Sequence, residues 1–129
     1  MNLQKKILKH IINVCLPEDE TNDDPYHVTL TFAGHSEIGY IHLIAANSDT
    51  PEIEAFEINE NYRNYGYGKK LLLSIPKFYK YNNLPLKAIR VKPCGTDQKN
   101  LSQKEVEEIY KELSVDLYQK FKIKLIIYH

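Results

Sequence analysis

One stretch of the chain decides the interpretation of its fold: Glu52-Ile53-Glu54-Ala55-Phe56-Glu57-Ile58-Asn59-Glu60-Asn61-Tyr62-Arg63-Asn64-Tyr65-Gly66-Tyr67-Gly68-Lys69-Lys70-Leu71-Leu72. An apolar segment with a strand pattern passes through a polar turn into Arg-x-x-Gly-x-Gly, and an apolar helical pattern follows. The first amides of a helix have no partner inside it, the helix dipole places partial positive charge there, and glycines let a ligand approach the backbone. A strand that leads into such a helix start predicts an anion-binding site.

Spacing excludes two common phosphate-binding loops. A Walker A loop requires Gly-x-x-x-x-Gly-Lys followed by Ser or Thr, whereas Arg63 stands at the first glycine position and Lys70 at the last position. A dinucleotide-binding fingerprint requires a third glycine where this chain has Leu71. What remains is the pattern Arg63-x-x-Gly66-x-Gly68.

The remaining pattern resembles the pyrophosphate loop of the GNAT acetyltransferases, in which Gln/Arg-x-x-Gly-x-Gly/Ala follows a strand that ends in a β-branched residue. The strand Glu52–Ile58, four further residues and then Arg63 keep the register of the histone acetyltransferase branch of that family. The resemblance implies one GNAT-like domain over residues 1–129, of mixed α/β (α+β) class. In that fold a mainly antiparallel sheet contains a central, splayed pair of parallel strands and is flanked by helices.

The resemblance also implies which residues bind acetyl-CoA as the cosubstrate. The backbone of Phe56, Glu57 and Ile58 would pair with the pantetheine arm. Gln103 falls where the family often has an Asn that faces the cofactor. The loop that would wrap the pyrophosphate comprises Arg63, Asn64, Tyr65, Gly66, Tyr67, Gly68 and Lys69.

Three residues are candidates for acid and base chemistry. In the family, a glutamate at the head of the strand is the general base, which implies Glu52 or Glu54 here. Strand alternation places both glutamates on one face with Phe56 and Ile58. Two carboxylates on a face directed towards the core conflict with burial of that face, and such local conflicts are typical of functional sites. The alternative is that both glutamates face solvent at a sheet edge. Tyr110 lies within Ile109-Tyr110-Lys111-Glu112-Leu113, which is similar to the Leu-Tyr-Glu-Lys-Leu of the last GNAT helix, and would protonate the departing thiolate.

Size and composition set the broad class. The 129 residues fit one domain of an ordinary globular protein, and 17 Lys plus Arg balance 17 Asp plus Glu. This balance favours neither a nucleic-acid partner nor a membrane surface. Cys15 and Cys94 have no metal-ligand spacing, and no metal is expected. No signal-peptide pattern and no apolar run near the ~18 residues of a membrane span are present, so a cytoplasmic location is expected.

Periodicity predicts the elements before the loop. Apolar residues at three- and four-residue steps predict an amphipathic helix over residues 2–15, which Pro17 ends. The acidic loop over residues 17–25 is interpreted either as a solvated connector or as a lip that attracts a cationic amine. Alternation from Tyr26 to Ala46, interrupted at Gly34-His35-Ser36, predicts an antiparallel hairpin. Relative to the family, the usual first strand is absent or shifted and one helix replaces two, which implies a compact or divergent member.

Three elements are predicted after the loop. The segment from Lys69 to Ile75 is helical, and Pro76 is expected to kink or end it. The pattern of residues 86–91 predicts a strand that runs parallel to Glu52–Ile58 and is connected to it by a right-handed crossover. A capping box at Ser102 precedes a further helix, and the β-branched run over 123–128 predicts a closing strand.

The function that these patterns predict is transfer of an acetyl group from acetyl-CoA to a primary amine by direct attack. The acceptor is an amine on a small molecule or a protein, and its identity is not readable from the sequence. Two alternatives stay open: a GNAT-fold module that binds CoA or a protein but has lost transfer, and an unrelated α/β binding protein. A homodimer is also left open.

Overall fold

The computed structural model describes residues 15–17, 25–93 and 103–128. Within these ranges the chain forms six strands and two α-helices, with a 3₁₀ turn at Glu60–Tyr62. No helix in them is long and apolar enough to cross a membrane. In chain order the elements are β1 (Cys15–Pro17), β2 (Val28–Phe32), β3 (Gly39–Ile44), β4 (Glu52–Ile58), α1 (Tyr67–Tyr81), β5 (Ala88–Val91), α2 (Gln103–Phe121) and β6 (Lys124–Ile127).

All six strands belong to one mixed sheet, in which each strand lies beside its neighbours in the chain. The pairs β1–β2, β2–β3 and β3–β4 are antiparallel, whereas β4–β5 and β5–β6 are parallel. A helix separates the two strands of each parallel pair, because a parallel connection must return the chain to the same end of the sheet. The predicted mixture of helices and a mixed sheet is therefore confirmed.

Several predicted elements are confirmed individually. The hairpin is formed by β2 and β3, and its turn includes a hydrogen bond of 2.8 Å from the amide of His35 to the carbonyl of Phe32. The strand after it spans Glu52–Ile58, as the alternating pattern predicts. The later strands β5 and β6 and the helix α2 also lie where the sequence predicts them. The capping residue Ser102 is outside the described residues.

The predicted N-terminal helix is wrong at its last position. Cys15 begins β1 and pairs with Phe32, and Pro17 is the last residue of this short strand instead of the residue that stops a helix. Strand β1 is an edge strand among the described strands. Proline is compatible with an edge strand, because the N–H that it lacks can be one that would not pair with another strand. Residues 2–14 of the predicted helix and 18–24 of the acidic loop lie outside the described residues.

Helix α1 does not end at Pro76 but continues to Tyr81. A proline in a helix interior removes one hydrogen bond and costs ~3 kcal/mol or more. Leu72, Ile75 and Tyr79 around the proline are each no more than 1% exposed, and burial of a large apolar side chain contributes about 1.5–3 kcal/mol. Packing of this segment into the core therefore offsets the cost of the proline.

The core lies between the sheet and the two helices. The main sheet contributions are Leu30, Phe32, Ile41, Leu43, Ile53, Phe56 and Ile89. Helix α1 contributes Leu71, Leu72, Ile75 and Tyr79, and helix α2 contributes Val106, Tyr110, Leu113 and Leu117. The helical spacing on α2 buries one stripe of that helix, while its other positions face solvent.

Tyr79 connects α1 to the turn between β3 and β4. Its hydroxyl donates a hydrogen bond of 2.5 Å to the carbonyl of Ala46, and both residues are buried. Burial raises the pKa of the Tyr79 hydroxyl well above its usual range, because the charged phenolate is disfavoured away from water. The neutral hydroxyl thus holds the last turn of α1 against the turn between β3 and β4.

We expect Tyr79→Phe to lower the free energy of unfolding by about 1–3 kcal/mol at pH 7, because the Ala46 carbonyl loses its donor. Tyr81→Phe is the matched control, since Tyr81 is 87% exposed on the same helix. Because the folded state raises the pKa of Tyr79, wild-type stability falls as the pH rises above about 10, the ordinary pKa of tyrosine. Urea unfolding measures both effects; equal stability of Tyr79→Phe and wild type would contradict this assignment.

Candidate functional site

Strand β4 is paired along one edge and largely open along the other. Strand β3 pairs with β4 from Ile58 back to Glu52. Strand β5 pairs with β4 only at Glu52 and Ile53, opposite Arg90 and Val91. Beyond Ile53, no strand of the described ranges lies against this edge of β4. Among the described residues, this edge of β4 therefore has an opening along the second half of the strand.

A β-bulge lies where this opening begins. His42 is opposite Ala55 and Leu43 is opposite Ile53, so Glu54 has no partner residue in β3. A bulge adds one residue to a strand, bends it and redirects the side chains that follow. The bulge at Glu54 thus separates the part of β4 that pairs with β5 from the part that faces the opening.

The bulge also changes which residues share a face. The prediction that Glu52, Glu54, Phe56 and Ile58 lie on one face is wrong. Ile53, Phe56 and Ile58 are the buried residues of β4, whereas Glu54 is exposed and Glu52 is only partly buried. Strict alternation cannot bury both Ile53 and Phe56, and the extra residue at the bulge accounts for the change.

A cavity of about 440 Å³ lies at the carboxyl end of β4. It is bounded by the last residues of β4, the loop that follows, the first turn of α1 and the middle of α2. Ligand sites in sheets with parallel strands commonly lie outside the carboxyl ends of the strands. The lining residues are Phe56, Ile58, Tyr62, Arg63, Asn64, Gly66, Tyr67, Gly68, Lys69, Ile109, Glu112 and Leu113.

The start of α1 has the backbone geometry of an anion site. Gly66 precedes the helix in the left-handed conformation, with φ 81° and ψ 11°, and Asn64 also has a positive φ of 68°. The amide of Lys70 donates to the carbonyl of Gly66 at 3.2 Å and closes the first turn. A left-handed residue followed by a helical one turns successive amides towards one concave point, where the helix dipole also favours negative charge.

Gly68 has a different role from Gly66. A Cβ at Gly68 would lie 3.4 Å from Cζ of Phe56 and 3.8 Å from Cγ1 of Ile58. These are ordinary contact distances, so a Cβ at Gly68 would fit against the end of β4, and only a larger side chain would crowd the space between β4 and α1. At Gly66, a Cβ would meet nothing within 4 Å, so the positive φ is what requires glycine there.

The charges around the cavity are mixed. The Nε of Arg63 donates a hydrogen bond of 3.0 Å to the carbonyl of Ile58, which ties the loop to the end of β4. Lys69 lies 3.4 Å from the carboxylate of Asp116 on α2. Glu112, one turn before Asp116, also lines the cavity. An anion in the cavity would therefore meet Lys69 and Arg63 as favourable charges and Glu112 as an unfavourable one.

Tyrosines form part of the cavity wall and the layer behind it. Tyr62 and Tyr67 line the cavity. Burial, followed by the neighbouring Tyr65 and Tyr62, raises the pKa of Tyr67, so its hydroxyl stays protonated at neutral pH. Tyr110 is 2% exposed and packs behind the wall, with its ring centroid 6.1 Å from that of Phe56.

The two candidate bases have different surroundings. Glu52 accepts a hydrogen bond from the hydroxyl of Tyr128, and its carboxylate lies 3.8 Å from Arg90. The hydrogen bond to Glu52 is the main reason why the pKa of Tyr128 is raised. Glu54 has a side chain that is 52% exposed, and its carboxylate lies 4.0 Å from Nε2 of His42. Glu52 is thus already engaged at the sheet, whereas Glu54 is accessible at the bulge.

The cavity brings together all the predicted cofactor residues except Glu57, Tyr65 and Gln103. Glu57 lines another cavity, of about 400 Å³, together with Glu37 and Glu60. Tyr65 lies outside the cavity lining, and the side-chain amide of Gln103 donates to the carbonyl of Pro93 at 2.8 Å.

Four lining residues were not among the predicted site residues: Tyr62, Ile109, Glu112 and Leu113. Three of them belong to the α2 motif around Tyr110, so the helical spacing of that motif was the signal that could have found them. The sequence pattern singled out the tyrosine, whereas the cavity is lined by its neighbours on the helix.

Comparisons with family models, curated proteins and solved structures return no significant match for this chain.

We expect Gly66→Ala to lower the free energy of unfolding by about 1–2 kcal/mol, because alanine is strained in the left-handed conformation. Gly66→Asn is the matched variant, and its loss should be smaller because asparagine tolerates this conformation better. Chemical denaturation of the three proteins gives the order. Equal losses for alanine and asparagine would show that the positive φ does not require glycine.

Proposed function

We propose that the chain is an acetyl-CoA-dependent N-acetyltransferase on a GNAT-like fold. In this proposal the CoA pyrophosphate binds at the start of α1, and the pantetheine arm extends along the open edge of β4. The acetyl thioester then lies near the bulge at Glu54, where an amine can reach it.

The observation that carries the proposal is the continuity between two features. The open edge of β4 leads to Phe56 and Ile58, which line the same cavity as the first turn of α1. An extended, amide-containing arm can pair with an open strand edge, and a diphosphate suits a helix start with a left-handed glycine. A ligand that has both parts in series therefore fits this site better than a simple phosphate does.

The chemistry requires one base and one acid. The acceptor ammonium loses a proton to a glutamate, and the amine nitrogen attacks the thioester carbonyl carbon. The carbon–sulfur bond then breaks, and the nitrogen loses a second proton to water to give the amide. Glu54 is the favoured base, because it is accessible where β4 leaves β5, while Glu52 is held by Tyr128 and Arg90. Tyr110 packs against Phe56 behind the cavity wall, so its hydroxyl would have to turn towards the cavity to return a proton to the sulfur. Positioning and electrostatics supply most of the rate in such a reaction.

Removing a carboxylate from the cavity should strengthen CoA binding. We expect Glu112→Gln to bind CoA about fivefold more tightly and Lys69→Met about fivefold more weakly, since one charge near the pyrophosphate changes the binding free energy by about 1 kcal/mol. Isothermal titration at low salt measures both, and added salt should reduce the differences.

Glu37→Gln is the control for net charge, because Glu37 lines the other cavity. Its CoA affinity should equal that of wild type. If all three variants bind CoA as wild type does, the pyrophosphate does not occupy the cavity beside α1, and the proposal fails.

Transfer is tested with acetyl-CoA and a mixture of polyamine, amino-sugar and peptide amines, while free thiol is followed over time. We expect thiol release by wild type, and a kcat about 100-fold lower in Tyr110→Phe, because loss of a general acid typically costs this much. The KM for acetyl-CoA should stay unchanged, since the ring that packs against Phe56 is kept. Glu54→Gln should lower kcat more than Glu52→Gln does.

The titration and the thiol assay together distinguish the alternative, a module that binds CoA but does not transfer an acetyl group. CoA would bind and respond to Glu112→Gln, but no amine would release thiol. Absence of any thermal stabilisation by CoA would instead favour an unrelated binding protein.

A further inference from the structure

Two histidines and a glutamate meet on the face of the sheet that points away from α1. His27 lies directly before β2, His42 is in β3, and Glu54 is the bulged residue of β4. One potential ligand atom from each of the three residues lies within 4.8 Å of the other two. His42 alternates with the buried Ile41 and Leu43, so its ring lies on the opposite side of the strand from the core.

The bulge explains why Glu54 belongs to this cluster. Ile53 and Ala55 are opposite consecutive residues of β3, and Glu54 is the extra residue between them. Its side chain is exposed, and the carboxylate lies 4.0 Å from Nε2 of His42. A bulge that redirects one side chain towards two imidazoles is the kind of local irregularity found beside functional sites.

The hydrogen bonds around His42 can present its Nε2 as a ligand atom. Its Nδ1 lies 2.5 Å from the hydroxyl oxygen of Thr29. When Nδ1–H donates to that oxygen, Nε2 keeps its lone pair and faces Nδ1 of His27 at 3.2 Å. In metal-binding histidines, a hydrogen bond from the ring nitrogen that does not bind the metal fixes the tautomer and the ring orientation.

The spacing fits a small tetrahedral ion. Two nitrogens bound tetrahedrally to Zn²⁺ at 2.0–2.1 Å are about 3.4 Å apart, close to the 3.2 Å between His27 and His42. Nε2 of His42 and the carboxylate oxygen of Glu54 are 4.0 Å apart. The Glu54 side chain, which is 52% exposed, therefore has to move slightly closer to bind the same ion. Two imidazoles and one carboxylate favour zinc over calcium or magnesium, which prefer oxygen ligands alone.

We propose that His27, His42 and Glu54 bind one Zn²⁺ ion, with the fourth position open to water or a small anion. The ion would replace the proton that the two facing imidazole nitrogens otherwise share. Three protein ligands with one open position is the arrangement of catalytic zinc sites, in which bound water is acidified. Zinc binding does not depend on CoA binding, because the cluster and the cavity lie on opposite faces of β4. The two proposals share Glu54, and a carboxylate that binds zinc does not act as the free base of the proposed transfer.

Zinc binding to the full chain, purified without a histidine tag, tests the proposal by isothermal titration with zinc chloride. We expect saturable binding of one ion per chain. Thr29→Val should weaken binding by roughly 10–100-fold, because it removes only the hydrogen bond to His42. Glu54→Gln should also weaken binding, and the exposure of this side chain favours retention of the fold in this variant. Cobalt in place of zinc should give the visible absorption of a tetrahedral site.

His35→Gln is the matched control, since His35 pairs with Glu37 in the β2–β3 turn and is outside the cluster. It should bind zinc as wild type does. The double variant His27→Gln, His42→Gln should lose the bound ion, and circular dichroism establishes whether it is folded. The proposal is overturned if wild type binds no zinc, leaving a pair of hydrogen-bonded imidazoles. It is equally overturned if Glu54→Gln and Thr29→Val bind zinc with unchanged affinity and the same cobalt spectrum.

Discussion

The unequal pairing of β4 is the constraint on which the rest of the structure depends. Strand β3 holds one edge of β4, whereas β5 holds the other edge only at Glu52 and Ile53. The bulge at Glu54 lies at the boundary between these two parts. It lets the second half of β4 direct Phe56 and Ile58 towards the helices while that edge faces no strand of the described ranges. Both the cavity beside α1 and the histidine cluster on the other face follow from this one irregularity.

The two faces of β4 have opposite chemical character. On the helix side, the cavity combines apolar walls, a helix start and the cations Lys69 and Arg63. On the other side, His42 and Glu54 offer lone pairs at the sheet surface. A bulged strand can contribute to the cavity on one face and to the histidine cluster on the other, because the extra residue is not required for the core. The proposed pyrophosphate site at the start of α1 and the proposed zinc site are thereby on different faces of the strand, which limits the electrostatic influence of one on the other.

The sequence predicted the sheet and the loop well, because alternation and glycine spacing are local signals. The hairpin, the strand Glu52–Ile58 and the helix after the glycines are encoded by neighbouring residues, although the helix begins at Tyr67, two residues before the predicted Lys69. The bulge was missed because it depends on the register with β3, which alternation within one strand does not report. The helix does not end at Pro76, because tertiary packing overrides local propensity. The helix was wrongly predicted to include Cys15, because a short apolar run fits either a helix or a strand. The histidine cluster was missed because its members lie far apart in the chain.

Because the strand order follows the chain order, the sheet can grow in the direction of synthesis. The hairpin strands β2 and β3 are joined by a short connection. Strands β5 and β6 can each pair only after the preceding helix has been made and has docked. Helix α2 supplies the last wall of the cavity and is followed in the described residues by β6. During synthesis, the strands that contain the histidine cluster are therefore made before α2, whose residues complete the wall of the cavity.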